Sequence, residues 1–136
     1  MTTESTKKKV LVVEDDETML KALNSALTNA GYIVIEERDG VTGLVAAHQA
    51  HPDLILLDIL MPMMDGWEML KDIREKDEWG KNVPVLILTN LSADEDMQMR
   101  KIAELSPSYF MMKADWRLEG IVSKVAEVLS PANSPS

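Results

Sequence analysis

Six residues able to do chemistry stand directly after short apolar runs: Glu14-Asp15-Asp16 after 10–13, Asp58 after 54–57, Thr89 after 85–88, and Lys113 after 109–112. If these runs are neighbouring strands, the six side chains share one sheet edge. Carboxylates converging there raise one another's pKa unless a cation neutralises them. A donor set of oxygens, with no His or Cys beside it, selects a hard ion. A small site that must also hold a phosphoryl oxygen favours Mg²⁺ over Ca²⁺. Asp58, at the end of an apolar strand, is placed to attack phosphorus and become an aspartyl phosphate. Mg²⁺, the Lys113 ammonium and the Thr89 hydroxyl around that carboxylate are the parts phosphoryl transfer requires, because positioning and charge neutralisation carry the catalysis. No general base is needed.

The elements that must position these residues alternate. Continuous apolar runs at 10–13, 32–35, 54–57, 85–88 and 109–112 read as parallel strands covered on both faces, and each is followed by helical spacing. The first helix carries Leu20, Leu23, Leu27 and Ala30 on one stripe and stops at Gly31. The second carries Val41, Leu44, Val45 and Ala47, with Gly43 inside it and Pro52 closing it. The third spans 67–76 with Leu70 and Ile73 inward, followed by a charged loop around Trp79, Gly80 and Lys81. Ser92 and Glu95 form a capping-box pattern that opens a fourth helix reaching about Leu105. The fifth has Asp115 as its cap and Leu118, Ile121, Val122, Val125 and Leu129 as its stripe. The resulting fold class is α/β, a five-stranded parallel sheet, doubly wound, with helices on both faces and its site at the carboxyl ends of the strands.

The chain has 136 residues, no cysteine and a formal net charge of −9. One domain over 8–129 is expected, with disordered tails at 1–7 and 130–136. The acidic balance argues against direct nucleic-acid binding, and no apolar stretch is long enough for membrane insertion. The absence of cysteine excludes a disulfide framework and fits a cytoplasmic setting. The six glycines form neither G-x-G-x-x-G nor a P-loop, which removes a nucleotide-binding reading.

Four segments then carry a family resemblance: Val-Leu-Val-Val-Glu-Asp-Asp at 10–16, Leu-Asp-Ile-Leu-Met-Pro-Met-Met-Asp-Gly at 57–66, Ile-Leu-Thr at 87–89 and Phe-Met-Met-Lys at 110–113. Over about 8–129 the chain resembles response-regulator receiver domains of two-component signalling, in particular stand-alone regulators of the chemotaxis type. The resemblance implies a flavodoxin-like strand order 2-1-3-4-5. It implies phosphorylation of Asp58, with Mg²⁺ held by Asp15 directly, by Asp58 itself, by the Leu60 backbone carbonyl, and by Glu14 in an outer or water-mediated place. Thr89 and Lys113 would bind phosphoryl oxygens, and Thr89 with Phe110 would form the switch. It further implies a histidine kinase or histidine phosphotransfer protein as donor and a downstream protein target or separate output protein as receiver. The domain would accept a phosphoryl group rather than act as an enzyme, with self-phosphorylation and autodephosphorylation as accompanying activities. Leu60 and Leu91 occupy positions that tune hydrolysis in the family.

Three positions depart from the family pattern: Ala114 where Pro usually follows the Lys, Asn90 where a smaller residue usually follows the Thr, and Ser106-Pro107-Ser108 in a turn that usually carries Gly. Ala114 and Asn90 leave an alternative of another class, a pseudo-receiver acting as a phosphorylation-independent interaction module, while the stiffer turn at 106–108 lies on the face that partners contact in the family. An Asp-nucleophile phosphohydrolase is disfavoured, because such enzymes carry a second Asp where this chain has Leu60. Plain roles also exist for single residues. Asp15 and Asp16 suit helix capping, and 94–96 suits the first turn of a helix. His48 and His51 read as surface residues, Trp67, Trp79 and Trp116 as packing residues, and Met111 and Met112 as core.

Overall fold

The structure, a computed structural model, describes residues 7–61, 63–90 and 95–130, the last segment without the side chains of 95–99. Strands β1 (Lys9–Val13), β2 (Ile33–Glu37), β3 (Leu54–Leu57), β4 (Val85–Thr89) and β5 (Tyr109–Met112) form one parallel sheet in the order β2-β1-β3-β4-β5. The helices are α1 (Glu17–Asn29), α2 (Gly40–Ala50), α3 (Gly66–Lys76), α4 (Glu78–Asn82), α5 (Glu95–Leu105) and α6 (Leu118–Leu129). The expected fold class and strand order are those observed.

Alternation along the three inner strands divides the core in two. Leu11, Val13, Ile55, Leu57, Val85 and Ile87 face α2, α3 and α5, where Ala47, Met69, Leu70, Ile73 and Leu105 cover them. Val10, Val12, Leu54, Leu56, Leu86 and Leu88 face α1 and α6, meeting Leu20, Leu23, Leu27, Ile121 and Val125. Both faces being covered is why these strands read as unbroken apolar runs. Helix starts are fixed by Asp side chains: Asp16 accepts from the Thr18 and Met19 N–H groups, Asp39 from Thr42, and Asp65 forms a capping box with Glu68. No helix among the described residues is long and apolar enough to cross a membrane.

Several expectations are corrected. The buried face of α2 is Gly40, Gly43 and Ala47, while Val41 and Val45 are exposed. Gly43 lets the helix approach β1 and α3, since a Cβ there would lie 3.0 Å from both Val13 methyls. The segment after α3 is the helical turn α4 rather than a charged loop, capped by Asp77 on the Gly80 N–H. A Cβ at Gly80 would overlap the Ile73 carbonyl oxygen, so glycine is what allows that turn to close against α3. Asp115 does not cap α6. It lies in a 3-10 turn, Lys113–Asp115, and Arg117 takes the cap position without a side-chain bond. Ala30 is exposed at the end of α1, before Gly31 turns the chain at φ 103°. β2 begins at Ile33 and reaches Glu37, later than the apolar run 32–35. The Ser92 cap and Leu91 fall outside the described residues, as do most of the two tails.

Candidate functional site

Strand register brings the chemistry together. Val13 pairs with Leu57, and the Asp58 N–H continues the ladder to the Val13 carbonyl at 3.0 Å, so Glu14 and Asp58 leave adjacent strands side by side. Leu57 pairs with Ile87 and Thr89 with Met112, which places Thr89 and Lys113 on the same edge. Thr89 is fully buried and Asp58 is 5% exposed.

Glu14, Asp15 and Asp58 each offer a carboxylate oxygen, and these three atoms lie within 4.8 Å of one another. The Lys113 ammonium stands against two of the acids, 2.8 Å from Glu14 Oε1 and 3.3 Å from Asp58 Oδ2. Neutralisation of the acids therefore begins with a residue 55 positions from Asp58, which its own strand end brings to the same edge. The second Glu14 oxygen accepts the Asp16 N–H at 3.1 Å, and Asp58 Oδ1 accepts the Leu60 N–H at 3.2 Å. Both Glu14 oxygens are thus engaged, which suits an outer or water-mediated place in a metal shell better than a direct one. The all-oxygen donor set fits a hard divalent ion.

Burial pushes the Glu14 carboxyl from 4.5 up to about 7, reinforced by the Asp58 charge and opposed by Lys113 and the Asp16 N–H. At Lys113 burial acts downward, but the bonds and charges of Glu14 and Asp58 outweigh it and raise its pKa, keeping it an ammonium at neutral pH. A carboxyl that holds its proton more tightly when folded stabilises the fold below its unfolded pKa. That contribution is lost as pH rises through the folded value. In EDTA, stability should fall by about 2–3 kcal/mol between pH 4.5 and 8 on account of Glu14. Urea midpoints at the two pH values check this, and Glu14→Gln should flatten the difference.

Phe110 lies half-buried on β5 with its ring parallel to that of Trp67 on α3, at 6.1 Å between centroids and 10° between planes. No peptide bond among the described residues is cis, so Lys113 and Ala114 join in the trans form. Asn90 and Ala114 line a cavity of about 430 Å³ beside Lys113, together with Asp16, Met19 and Trp116. Asp16 itself serves as the α1 cap. His48 and His51 lie at the other end of α2 around Trp79, His51 stacked on its ring at 4.3 Å. Met111 is buried as core, whereas Met63 is 79% exposed.

Two features escaped the sequence reading. One is the Trp67–Phe110 stack, which joins residues of different elements. The other is Arg38, just past the end of β2, whose guanidinium reaches the Asp15 carbonyl. Its signal in the sequence is its place directly after the second strand, the same kind of place that Glu14, Asp58 and Lys113 occupy on theirs.

The chain is similar to known proteins in sequence and in fold. The family model described as the response regulator receiver domain matches residues 10–125. The alkaline phosphatase synthesis transcriptional regulatory protein PhoP of Bacillus subtilis is 37% identical over 106 residues, 78% of this chain and 42% of that protein. The DNA-binding dual master transcriptional regulator RpaA of Synechocystis is 36% identical over 88 residues, 65% of this chain and 36% of its own length. The chain thus spans less than half the length of these two relatives. Among solved structures, the chemotaxis response regulator CheY4 of Vibrio cholerae superposes with a TM-score of 0.80 at 28% identity, covering 90% of this chain and 99% of that one.

Proposed function

Because the chain belongs to the response regulator receiver domain family of two-component signalling, we propose that it works by accepting a phosphoryl group on Asp58 in a Mg²⁺-dependent reaction. The observation that carries this reading is the meeting of Asp58 with Glu14, Asp15 and Lys113 at one sheet edge. The donor is a phosphohistidine on a histidine kinase or histidine phosphotransfer protein. An Asp58 oxygen forms the new O–P bond as the N–P bond breaks, and the electron pair of that bond leaves with the imidazole, which takes up a proton. Asp15, Asp58 and the Leu60 carbonyl would hold Mg²⁺, with Glu14 in outer or water-mediated contact. A bound ion supplies charge neutralisation to the phosphoryl oxygens. Lys113 and Thr89 hold those oxygens from the β5 and β4 ends.

The output in this reading is altered protein–protein contact with a downstream target or separate output protein. Thr89, drawn to the phosphoryl group, lets Phe110 move against Trp67, which turns a local charge event into a change of surface. The domain is then a phosphoacceptor with some hydrolytic activity of its own rather than an enzyme acting on other molecules.

Millimolar Mg²⁺ with beryllium fluoride, a phosphoryl mimic, should raise the melting temperature, because a ligand that binds only the folded state stabilises it by mass action. Asp58→Asn should lose most of that rise. A wild-type protein indifferent to both additions would favour the phosphorylation-independent interaction module instead.

A further inference from the structure

The loop between β1 and α1 holds Asp15, and this loop and the first residue of α1 are tied at three places to the last residue of β2 and to Arg38 just after it. The Glu14 N–H donates to the Glu37 carbonyl at 3.0 Å, extending the β1–β2 ladder by one bond. Arg38 Nη2 donates to the Asp15 carbonyl at 3.3 Å, and Arg38 Nη1 lies 3.6 Å from Glu17 Oε1. One planar guanidinium thereby bridges the residues on either side of Asp16, whose own side chain is committed to capping α1. Arg38 is largely exposed, so its stem adds little to the core, and the places it fixes are the Asp15 backbone and the first turn of α1.

We propose that Arg38 is a positioning residue of the metal site, orienting the Asp15 carboxylate by holding the Asp15 backbone carbonyl. This rests on the reading that Asp15 ligates Mg²⁺. The two ways in which Arg38 can act on a bound cation have opposite signs. A positive charge beside a cation site repels the ion, so if charge alone mattered, removing it would tighten binding. A group that orients a ligand helps the site, and removing it weakens binding, typically by tenfold or more for residues behind metal ligands.

The test is Mg²⁺ titration of the metal-free protein by calorimetry, in wild type, Arg38→Met and Arg38→Lys, with melts in EDTA to check that all three fold. Positioning predicts Mg²⁺ binding about tenfold weaker in Arg38→Met, with incomplete recovery in Arg38→Lys because an ammonium lacks the planar fork. Arg38→Met binding Mg²⁺ as tightly as wild type, or more tightly, would overturn the proposal while leaving the metal site intact. A wild type that binds no Mg²⁺ would remove the metal reading itself and this inference with it. Glu17→Gln, which spares the carbonyl bond, should stay close to wild type, and a loss equal to that of Arg38→Met would assign the effect to the ion pair and overturn the role of the carbonyl.

Discussion

Lys113→Met should accept a phosphoryl group from a small phosphodonor at least about 100-fold more slowly than wild type at saturating Mg²⁺, the size of loss seen when a pre-placed donor to developing charge is removed. The ammonium is 3.3 Å from Asp58 Oδ2 and is held there by Glu14 at 2.8 Å, so it needs no reorganisation when a phosphoryl group arrives. Met keeps much of the stem and removes the charge. Collapse of the fold should not obscure the result, since losing Lys113 removes a group that lowers the Glu14 pKa, and a carboxyl already near 7 then takes up a proton. The time course of mass gain measures the rate, and a loss of less than threefold would remove Lys113 from the chemistry.

Arg74→Ala is expected to give the largest loss of stability, about 3–4 kcal/mol, because hydrogen bonds to a charged donor contribute the most and their loss strands the acceptors. From α3 the guanidinium donates to four carbonyls: Leu105 and Ser106 at the end of α5, and Gly80 and Val83 around α4, at distances of 2.7–3.0 Å. One residue thus closes the carbonyl ends of two helices, of which α5 has no basic group in its own last turn. Burial lowers the Arg74 pKa without removing its charge at neutral pH. The urea midpoint should fall by about 1–2 M, and Arg74→Lys should recover only part of it, because an ammonium cannot reach all four oxygens. A midpoint within a few tenths molar of wild type would show that these bonds are replaced by water at no cost.

The site was legible in the sequence because its residues are the first polar positions after apolar strands, and strands covered on both faces announce themselves as unbroken runs. The runs 54–57 and 109–112 coincide with β3 and β5, and each strand end fixes its chemical group. What stayed hidden depends on close approach between elements. Val41 and Val45 look like the inner stripe of α2 until Gly43 is seen to sit against the Val13 methyls, rotating the buried face to the small residues. Trp79-Gly80-Lys81 reads as a loop because the value of Gly80 lies in its fit under the Ile73 carbonyl. Asp115 is an apt cap by composition, but the 3-10 turn after β5 absorbs it. Neither the ion pair of Lys113 with Glu14 nor the reach of Arg38 to Asp15 leaves a mark in local sequence, since each joins different strands.

In the proposed reaction an Asp58 oxygen is the nucleophile that bonds phosphorus. Borohydride reduces an acyl phosphate to the alcohol, so treating the protein with a phosphodonor, then borohydride, then mapping peptides by mass locates the modified carboxyl directly. Reduction at Asp58, present with Mg²⁺ and absent without it, is the predicted result. Reduction at Asp15 or elsewhere, or none at all under conditions that reduce a known aspartyl phosphate, would contradict the account.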